Sequence, residues 1–437
     1  MKIQYKNIQS ALKKYGLRIN IEKDFMYIAL DRHKIDMFEW SKPIIYYLLN
    51  TYEKDYFILI KGIPYCLLSD ACDHMVYKKI NGSHYRKFPG CKSCNYFAAC
   101  PGMPGNMPKA KPTADLPVEI ALELNKSCNL NCKFCIYSDS QKRMHTSYEK
   151  IKETLNNASG LDIKYVRFTG GEPLLRKDLL KILKYAKTKG FYIFLNTNAT
   201  LLDNTIIKHL EKYVDNILVS LCGYSAYTEA IINSESGFIK NKFRNILKLR
   251  KSKIPHIRIG TVISKILIDN FDKYSILIKA LGINDWELYR PMLPPAKMAH
   301  LPDYNIGKND LFKLFRLIRR LRKKGINVYI ANAIPFCIAP NNTYKPIMRG
   351  AQFDDGHRRL VLDPEGFFKP SYFIRENLGK NISKAWKHNL IRKINACDYL
   401  PYKCNHCIYL RWCLGGSRYM AKEYCGSYFA HDPLMAS

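Results

Sequence analysis

Three closely spaced cysteines are the residues of this sequence best suited to metal chemistry. They are Cys128, Cys132 and Cys135, and they follow a strand-like apolar run at Val118–Leu124. Soft thiolate ligands suit iron, and a tight loop can bring three of them to one face of an iron–sulfur cluster. A structural cluster would use four cysteines, whereas three leave one iron with an open coordination position. A structural zinc knuckle, or three unrelated buried thiols, is the alternative for the same residues.

A second motif begins 34 residues after the third cysteine, at the end of the next strand-like run. It is the segment Thr169–Pro173, which reads TGGEP. The two glycines, Gly170 and Gly171, allow the backbone to approach a ligand closely. Glu172 carries the negative charge that an ammonium group needs as a partner. Alone this segment would be a common turn, but its place after the cysteine loop gives it weight.

Together the two motifs resemble the signature of the radical S-adenosylmethionine (SAM) enzymes. The resemblance implies a 4Fe–4S cluster on the three cysteines, whose unique iron chelates SAM. It also implies reductive cleavage of SAM to a 5′-deoxyadenosyl radical that abstracts a substrate hydrogen. The residues implied to hold the amino group of SAM are Gly170, Gly171, Glu172 and Pro173. Weaker matches at later strand ends are Asn196, Asn198 and Ser220 near the ribose, and Val262 and Ile263 against the adenine.

Cys222 stands two positions after Ser220, where the family often has aspartate. Side chains alternate along a strand, so Ser220 and Cys222 are predicted to face SAM together. A thiol beside a substrate radical could return a hydrogen atom, as in radical epimerases. The alternative is a small buried apolar residue, which cysteine often is.

Two further cysteine sets, near the two ends of the chain, share one spacing. Each contains Cys-x2-Cys-x5-Cys, and each follows an Ile-Pro-aromatic-Cys segment. We interpret this as an internal repeat of a unit that binds an auxiliary cluster through four thiolates. Zinc bound by four cysteines is the alternative. The sets are Cys66, Cys91, Cys94 and Cys100, and Cys337, Cys404, Cys407 and Cys413.

The C-terminal set resembles the SPASM extension of radical SAM enzymes, which carries auxiliary 4Fe–4S clusters and is common in peptide-modifying members. The family pattern of seven cysteines is incomplete here, so one cluster is expected rather than two. Its fourth ligand could be Cys337, Cys397 or Cys425, and the repeat favours Cys337. Other residues stand where three of the family's cysteines are expected, at Ser371, Ser417 and Met435.

The elements that must position these residues form six strand–helix repeats. Such alternation predicts a parallel sheet with right-handed crossovers and a site at the carboxyl ends of its strands. The resemblance implies an α/β fold, the partial (β/α)6 radical SAM barrel, with small cysteine-rich α+β domains on both sides. The predicted strands are Val118–Leu124, Tyr165–Thr169, Tyr192–Asn196, Asn216–Leu221, His256–Ile263 and Trp286–Arg290, with helices such as Tyr148–Asn157, Lys177–Thr188 and Lys240–Arg250.

Changes of pattern set the expected domain boundaries. They give an N-terminal cysteine-rich domain at 1–100, a linker rich in proline and glycine at 101–117, the barrel at 118–325 and the SPASM-like domain at 326–437. Flanking elements are predicted at Leu17–Ile21, Phe25–Leu30, Tyr56–Ile60 (strands), Lys42–Tyr52 (helix), Asn327–Ile330 (strand), and Leu360–Leu362 with Phe367–Lys369 (hairpin).

Composition is that of a globular protein: 437 residues, 47% apolar and 24% charged. The sequence has no apolar run long enough to span a bilayer and no apolar signal segment, so we expect a cytoplasmic protein without a membrane partner. Fifteen cysteines then indicate reduced thiols and metal. The net charge of +33 could attract nucleic acid or an acidic partner, or could simply reflect a solvated lysine-rich surface.

A peptide or protein is the expected substrate, because SPASM-like extensions are common in enzymes that modify peptides. Cofactor-precursor or other small-molecule chemistry is the alternative. An iron–sulfur protein that binds nucleic acid is a hypothesis from a different class, motivated by the charge. The expected electron donor is a reductase such as flavodoxin or ferredoxin.

Overall fold

The computed structural model describes residues 116–137, 144–233, 237–405 and 407–435. It also describes parts of the first 104 residues, at positions 12, 16–22, 25–30, 44–46, 48–49, 52, 56–61, 63, 85–86 and 103–104. None of the helices in this described part of the chain is both long and apolar enough to span a bilayer.

The N-terminal strands form a small sheet in which β1 pairs antiparallel with β2, and β2 pairs parallel with β3. A second, two-stranded antiparallel pair joins β4 to β5, so two residues of the predicted linker belong to a short strand. The predicted helix around 42–52 is helical at the positions that are described. The strands are β1 (Leu17–Glu22), β2 (Phe25–Leu30), β3 (Phe57–Lys61), β4 (Tyr85–Arg86) and β5 (Met103–Pro104).

A nine-stranded sheet forms the centre of the molecule. Its strands are β6 (Glu119–Glu123), β7 (Tyr165–Thr169), β8 (Tyr192–Thr197), β9 (Asn216–Ser220), β10 (His256–Val262), β11 (Asp285–Tyr289), β12 (Asn327–Ile330), β13 (Arg359–Leu362) and β14 (Phe368–Lys369). They lie in the order β12-β11-β10-β9-β8-β7-β6-β13-β14, and every neighbouring pair is parallel except the β13–β14 hairpin. The six predicted barrel strands are confirmed within one residue at each end.

The helices begin where polar side chains can accept hydrogen bonds from the first backbone N–H groups. Ser147, Asp203 and Ser264 each cap a helix in this way. The helices are α1 (Tyr148–Gly160), α2 (Leu179–Thr188), α3 (Asn204–Leu210), α4 (Ala226–Asn233), α5 (Ile239–Arg250), α6 (Lys265–Asp269), α7 (Phe271–Leu281), α8 (Pro295–Ala299), α9 (Lys308–Arg322), α10 (Ile382–Trp386), α11 (Asn389–Ala396), α12 (Tyr402–Asn405), α13 (Leu410–Cys413) and α14 (Arg418–Cys425).

The two faces of the central sheet differ in chemistry because side chains alternate along each strand. Val166 and Phe168 of β7 and Leu195 of β8 are fully buried in the apolar core, where α2 packs on β8. Arg167 and Asn196, at the alternate positions, line an interior cavity. The apolar face therefore holds the helices, and the polar face is left for a ligand.

Both edges of this sheet extend beyond the six predicted strands. β12 pairs with β11, and β13 pairs with β6, so the elements assigned from sequence to the SPASM-like domain continue the central sheet. The hairpin prediction at 360–369 is confirmed, and its first strand runs parallel to β6. Local patterns predict a hairpin, but they do not say which edge of a sheet it will join.

The N-terminal sheet packs against the C-terminal cysteine segment through aromatic rings. The Phe57 ring centroid lies 4.9 Å from that of Trp412, 5.4 Å from that of Tyr409 and 6.0 Å from that of Phe336. The Phe25 ring lies 5.4 Å from Tyr409. These residues share one continuous core with the central sheet.

Candidate functional site

The cysteine loop and the TGGEP segment are joined by backbone hydrogen bonds. The N–H of Gly171 donates to the carbonyl oxygen of Asn125 at 2.8 Å, and the N–H of Glu172 donates to that of Ser127 at 2.8 Å. The side-chain amide of Asn125 returns a bond to the Glu172 carbonyl at 3.1 Å. The two motifs thus form one hydrogen-bonded unit at the carboxyl ends of β6 and β7.

The two glycines of the motif are required by this contact between loops. A Cβ on Gly171 would overlap the carbonyl oxygen of Ser127, and one on Gly170 would lie 2.5 Å from that of Asn125. Gly170 also has φ 139°, a conformation that residues with a side chain rarely adopt. From sequence, the two glycines were expected to let the backbone approach a ligand. In the structure their missing side chains leave room for the cysteine loop.

Glu172 is fully buried and bound by protein donors. Its carboxylate accepts hydrogen bonds from the Leu174 N–H at 3.0 Å, the Thr197 hydroxyl at 2.8 Å and the Asn198 N–H at 2.7 Å. Burial raises the pKa of this carboxyl, and these donors oppose the rise. Its role as partner of an ammonium group stays a prediction, and in this structure the carboxylate braces the end of β8. Pro173 is also buried and begins a short 3-10 turn.

Asn198 connects that braced strand end to the cysteine loop. Its side-chain amide donates to the Cys128 sulfur at 3.7 Å and to the Asn129 side chain at 3.0 Å. Sequence reasoning had assigned Asn198 to the ribose and had missed Asn125 and Thr197. The available signal for those two was their position at the ends of β6 and β8, where polar residues of a parallel sheet meet.

The three thiols of the loop have the surroundings of cluster ligands. Cys128 is exposed, and Cys132 and Cys135 are half-buried. Backbone N–H groups donate to the Cys128 sulfur at 3.4 Å and to the Cys135 sulfur at 3.4 Å. Such hydrogen bonds to sulfur are among the means by which proteins tune iron–sulfur clusters. The aromatic Phe134, between the second and third cysteines, packs on Tyr304 with ring centroids 5.5 Å apart.

Burial raises the pKa of all the loop thiols for which a shift is resolved. For Cys132 the rise is large, and the nearby Cys222, Cys135 and Cys128 add to it. Cys128 has an exposed surface but dense surroundings, so desolvation still raises its pKa; the Leu130 N–H opposes the rise, and the charges of Glu172 and Cys135 add to it. A coordinating metal deprotonates such thiols outright.

No three histidine, cysteine, aspartate or glutamate side chains in the described part of the chain converge tightly enough to hold a single metal ion. The iron–sulfur cluster and the alternative of a zinc knuckle both stay predictions for this loop.

A cavity of about 610 Å³ opens directly beside the cysteine loop. Cys135 and Gly170 line it at one end, and Tyr56 of the N-terminal region and Trp412 of the C-terminal region line it elsewhere. Volumes of roughly 300–1,000 Å³ are typical of small-molecule sites. The cavity therefore lies where a ligand held at the loop could meet a second molecule.

Buried ion pairs form much of the wall of this cavity. Glu119 accepts hydrogen bonds from Arg167 at 2.8 and 3.1 Å, and it forms an ion pair with Arg359, whose Nε lies 2.6 Å from its carboxylate. Burial alone would raise the pKa of Glu119, but the two guanidinium groups outweigh it and lower the pKa to about 2. Glu287 is bound in the same way by Arg258 and by two tyrosines, and its pKa is lowered despite burial. Register brings Arg359 opposite Glu119, which local sequence cannot show.

The weaker predicted SAM contacts divide into two groups. Asn196, Ser220 and Val262 line the cavity, together with Gly170. Ile263, by contrast, is fully buried in the apolar core, so only its backbone remains a candidate for a ligand contact. Each of these roles stays a prediction.

Cys222 lies close to the cysteine loop but is not among the described residues that line the cavity. The strand β9 ends at Ser220, so the alternation that predicted a shared direction for Ser220 and Cys222 does not extend to the cysteine. Burial raises the pKa of the Cys222 thiol to about 11. By exposure the side chain is half-buried, and both the hydrogen-donor role and the alternative of a small buried residue stay predictions.

The four cysteines of the C-terminal set are neighbours in the structure. Burial is the largest cause of the raised pKa of Cys404, and the nearby Cys407 and Cys337 raise it further. Burial also raises the pKa of Cys413 to about 12, with contributions from Cys337 and Cys407. The Phe336 N–H donates to the Cys413 sulfur at 3.4 Å.

The other two candidates for a fourth ligand in that set are placed differently. Cys397 is buried near Cys404, and its thiol donates to the Ile394 carbonyl at 3.6 Å. Cys425 is exposed at the end of α14. Cys337 as the fourth ligand stays a prediction. The N-terminal set, Cys66, Cys91, Cys94 and Cys100, lies outside the described residues.

The residues that replace family cysteines have other tasks. Ser417 caps α14 through the Met420 N–H and donates to Asp355 at 3.1 Å. The hydroxyl of Ser371 accepts from the Phe373 and Ile374 N–H groups. The N–H of Met435 donates to the Asp432 carbonyl at 2.7 Å. These positions stabilise the C-terminal segment through hydrogen bonds.

A family model described as the radical SAM superfamily matches residues 122–274, which contain both the cysteine loop and the TGGEP segment. An AdoMet-dependent heme synthase of Methanosarcina barkeri is 26% identical over 350 residues, covering 72% of this chain and 95% of that protein. A GTP 3′,8-cyclase of Clostridium botulinum is 30% identical over 289 residues, covering 64% of this chain and 89% of that protein.

Among solved structures, that of SuiB from Streptococcus suis bound to the precursor peptide SuiA matches with a TM-score of 0.57. The identity is 14%, and the match covers 96% of this chain and 98% of SuiB. At this identity the likeness concerns the fold, and it extends over the regions on both sides of the central sheet.

Proposed function

Because this chain belongs to the radical SAM superfamily, an enzyme family that uses a 4Fe–4S cluster and SAM, we propose that Cys128, Cys132 and Cys135 bind that cluster. The bonds between the cysteine loop and the TGGEP segment are the observation that carries the proposal, because they join the cluster ligands to the segment expected to hold SAM. When bound, the reduced cluster cleaves SAM to methionine and a 5′-deoxyadenosyl radical that takes a hydrogen atom from the substrate.

The chain's own residues supply positioning and a closed environment. Gly170 lines the cavity, and its backbone carbonyl, together with that of Gly171, is proposed to contact the amino group of SAM. Asn196, Ser220 and Val262 line the same wall and are proposed to contact the nucleoside. The surrounding strands and the N-terminal sheet enclose the cavity, which limits the access of water to a reactive species.

The test is anaerobic iron reconstitution followed by dithionite and SAM, with 5′-deoxyadenosine as the product measured. We expect the wild-type protein to form it and the Cys128→Ala, Cys132→Ala and Cys135→Ala variants to form none. Cys425→Ala is the matched control, because it removes an exposed cysteine far along the chain from the loop. Formation of the product by a loop variant at the wild-type rate would reject the proposed ligands.

The proposed substrate is a small molecule held in the cavity. Two observations support this over the peptide expected from sequence: the cavity volume of about 610 Å³, and relatives named for heme and GTP chemistry that this chain covers almost in full. A peptide remains the second candidate, supported by the likeness to SuiB over 96% of the chain.

The C-terminal cysteines, Cys337, Cys404, Cys407 and Cys413, are proposed to bind one auxiliary 4Fe–4S cluster. Their mutual proximity supports this, and zinc remains the rival for the same four thiols. Analysis of iron, acid-labile sulfide and zinc separates the two, since a Cys404→Ser/Cys407→Ser variant should lose about four irons and no zinc. A flavodoxin or ferredoxin is the proposed electron donor.

A further inference from the structure

One segment, residues 346–354, crosses the open side of the barrel. The Arg349 N–H donates to the Ile330 carbonyl at the end of β12 at 2.9 Å, and the Ala351 N–H donates to the Trp412 carbonyl at 2.7 Å. Further on, the Asp354 carboxylate accepts from the Ala333 N–H at 2.8 Å. The segment is therefore fixed at several points, and its side chains form a built wall of the cavity.

Within the described part of the chain, two buried hydrogen-bond donors of the cavity lining have no hydrogen-bond partner. One is the side-chain nitrogen of Gln352, a residue of this segment that is 8% exposed. The other is the hydroxyl of Tyr372, which lies outside the segment and lines the same cavity. Leaving a buried polar group unsatisfied costs roughly 1–3 kcal/mol. A ligand that offers acceptor oxygens would remove this cost.

Arg349 adds an unpaired positive charge to these donors. The other arginines that line the cavity are neutralised by buried carboxylates. The pairs are Arg167 and Arg359 with Glu119, Arg258 with Glu287, and Arg290 with Asp432. Within the described part of the chain Arg349 has no such carboxylate, and its guanidinium lies 4.5 Å from the centre of the Tyr329 ring. A guanidinium over an aromatic ring is attracted by the ring without using its N–H donors, which stay available for an oxyanion.

Asp354 is the acidic side chain in this region that could repel an anion. Burial and the adjacent Asp355 raise its pKa, while Arg359 opposes the rise. Its carboxylate is also turned to the Ala333 N–H. The wall is therefore rich in donors and positive in balance.

We propose that Arg349, Gln352 and Tyr372 bind a carboxylate of the substrate, so that the enzyme acts on a small organic acid. The 610 Å³ cavity is lined both by this segment and by the residues proposed to contact SAM, so a small acid bound at Arg349 would share the cavity with SAM. Because the other arginines of the lining are paired with carboxylates, the substrate is proposed to place its carboxylate at this segment and its remaining atoms toward the SAM site. The inference rests on the proposed function, because it concerns the substrate of that site.

The experiment compares two probes of equal shape, 3-(4-fluorophenyl)propionate and its neutral amide, by fluorine NMR titration of the anaerobic holoenzyme. We expect the carboxylate to bind roughly ten- to a hundredfold more tightly than the amide, as charge-assisted hydrogen bonds imply. Arg349→Gln and Gln352→Leu should each remove most of this preference. Tyr372→Phe, which deletes one oxygen and preserves the ring, should reduce it several-fold.

Arg316→Gln is the control, since Arg316 is an exposed residue of α9 and the substitution is the same. Equal binding of the two probes to the wild-type protein would overturn the proposal, as would an undiminished preference in Arg349→Gln. Binding of an acidic peptide but not of the small probe would also overturn it. Formation of 5′-deoxyadenosine is measured on the same preparations, so failure of SAM cleavage is distinguished from failure of carboxylate recognition.

Discussion

Gly171 decides whether the two motifs of the site can touch, because its missing side chain leaves room for the carbonyl oxygen of Ser127. We predict that Gly171→Ala displaces the cysteine loop and lowers the iron bound after reconstitution to less than half of the wild-type amount. Gly160→Ala is the control, since a Cβ at that position at the end of α1 meets no atom within 4 Å. Wild-type iron content in Gly171→Ala would contradict the described packing.

His357 makes one identifiable contribution to the pH dependence of folding stability. It is buried, its Nδ1 is 2.9 Å from the Asn395 side-chain oxygen, and burial lowers its pKa to about 4. The unfolded chain takes up the proton near pH 6.5, so folding loses up to about 3 kcal/mol as the pH falls from 6.5 to 4. Above pH 6.5 this residue costs nothing.

His357→Gln should therefore flatten the fall of the urea unfolding midpoint between pH 7 and pH 4. His300→Gln, at an exposed position, should follow the wild-type curve. If the two variants lost stability in parallel over this interval, the buried neutral histidine would not be the cause.

At the scale of elements, β3 links the N-terminal sheet to the C-terminal cysteine segment through Phe57. Its ring meets three aromatic residues of that segment, and deletion of a buried phenylalanine typically costs about 3–5 kcal/mol. We predict that Phe57→Ala speeds hydrogen exchange in β1–β3 and at residues 409–413. Tyr227→Ala, which removes an exposed ring, should leave exchange unchanged there. Equal exchange in both variants would show that the contact is not stabilising.

The six barrel strands and the cysteine loop could be predicted because their signals are local: alternation, apolar runs and cysteine spacing. The hydrogen bonds of the Glu172 carboxylate could not be predicted, because its donors Thr197 and Asn198 lie at the end of the next strand. The pairing of Glu119 with Arg359 depends on a parallel register between segments 240 positions apart. Alternation does not fix the direction of the Cys222 side chain, because β9 ends two residues earlier, at Ser220.

For the whole molecule, one chain of contacts joins three regions around the cavity. The N-terminal region contributes Tyr56 and Phe57, and the C-terminal segment contributes Trp412, next to Cys413. The central region contributes residues of the cysteine loop and of the TGGEP segment. Residues of the segment 346–354 line the same cavity. The site is thus assembled from residues distant in sequence.

The central claim, that the three-cysteine loop holds a cluster with one iron open to SAM, is tested most directly by electron paramagnetic resonance. The measurement uses the dithionite-reduced Cys404→Ser/Cys407→Ser protein, which lacks the auxiliary set. The account predicts the signal of a reduced 4Fe–4S cluster whose g values shift when SAM is added, and no such signal when Cys132→Ser is introduced as well. A signal that SAM leaves unchanged, or one that survives the loss of Cys132, would contradict it.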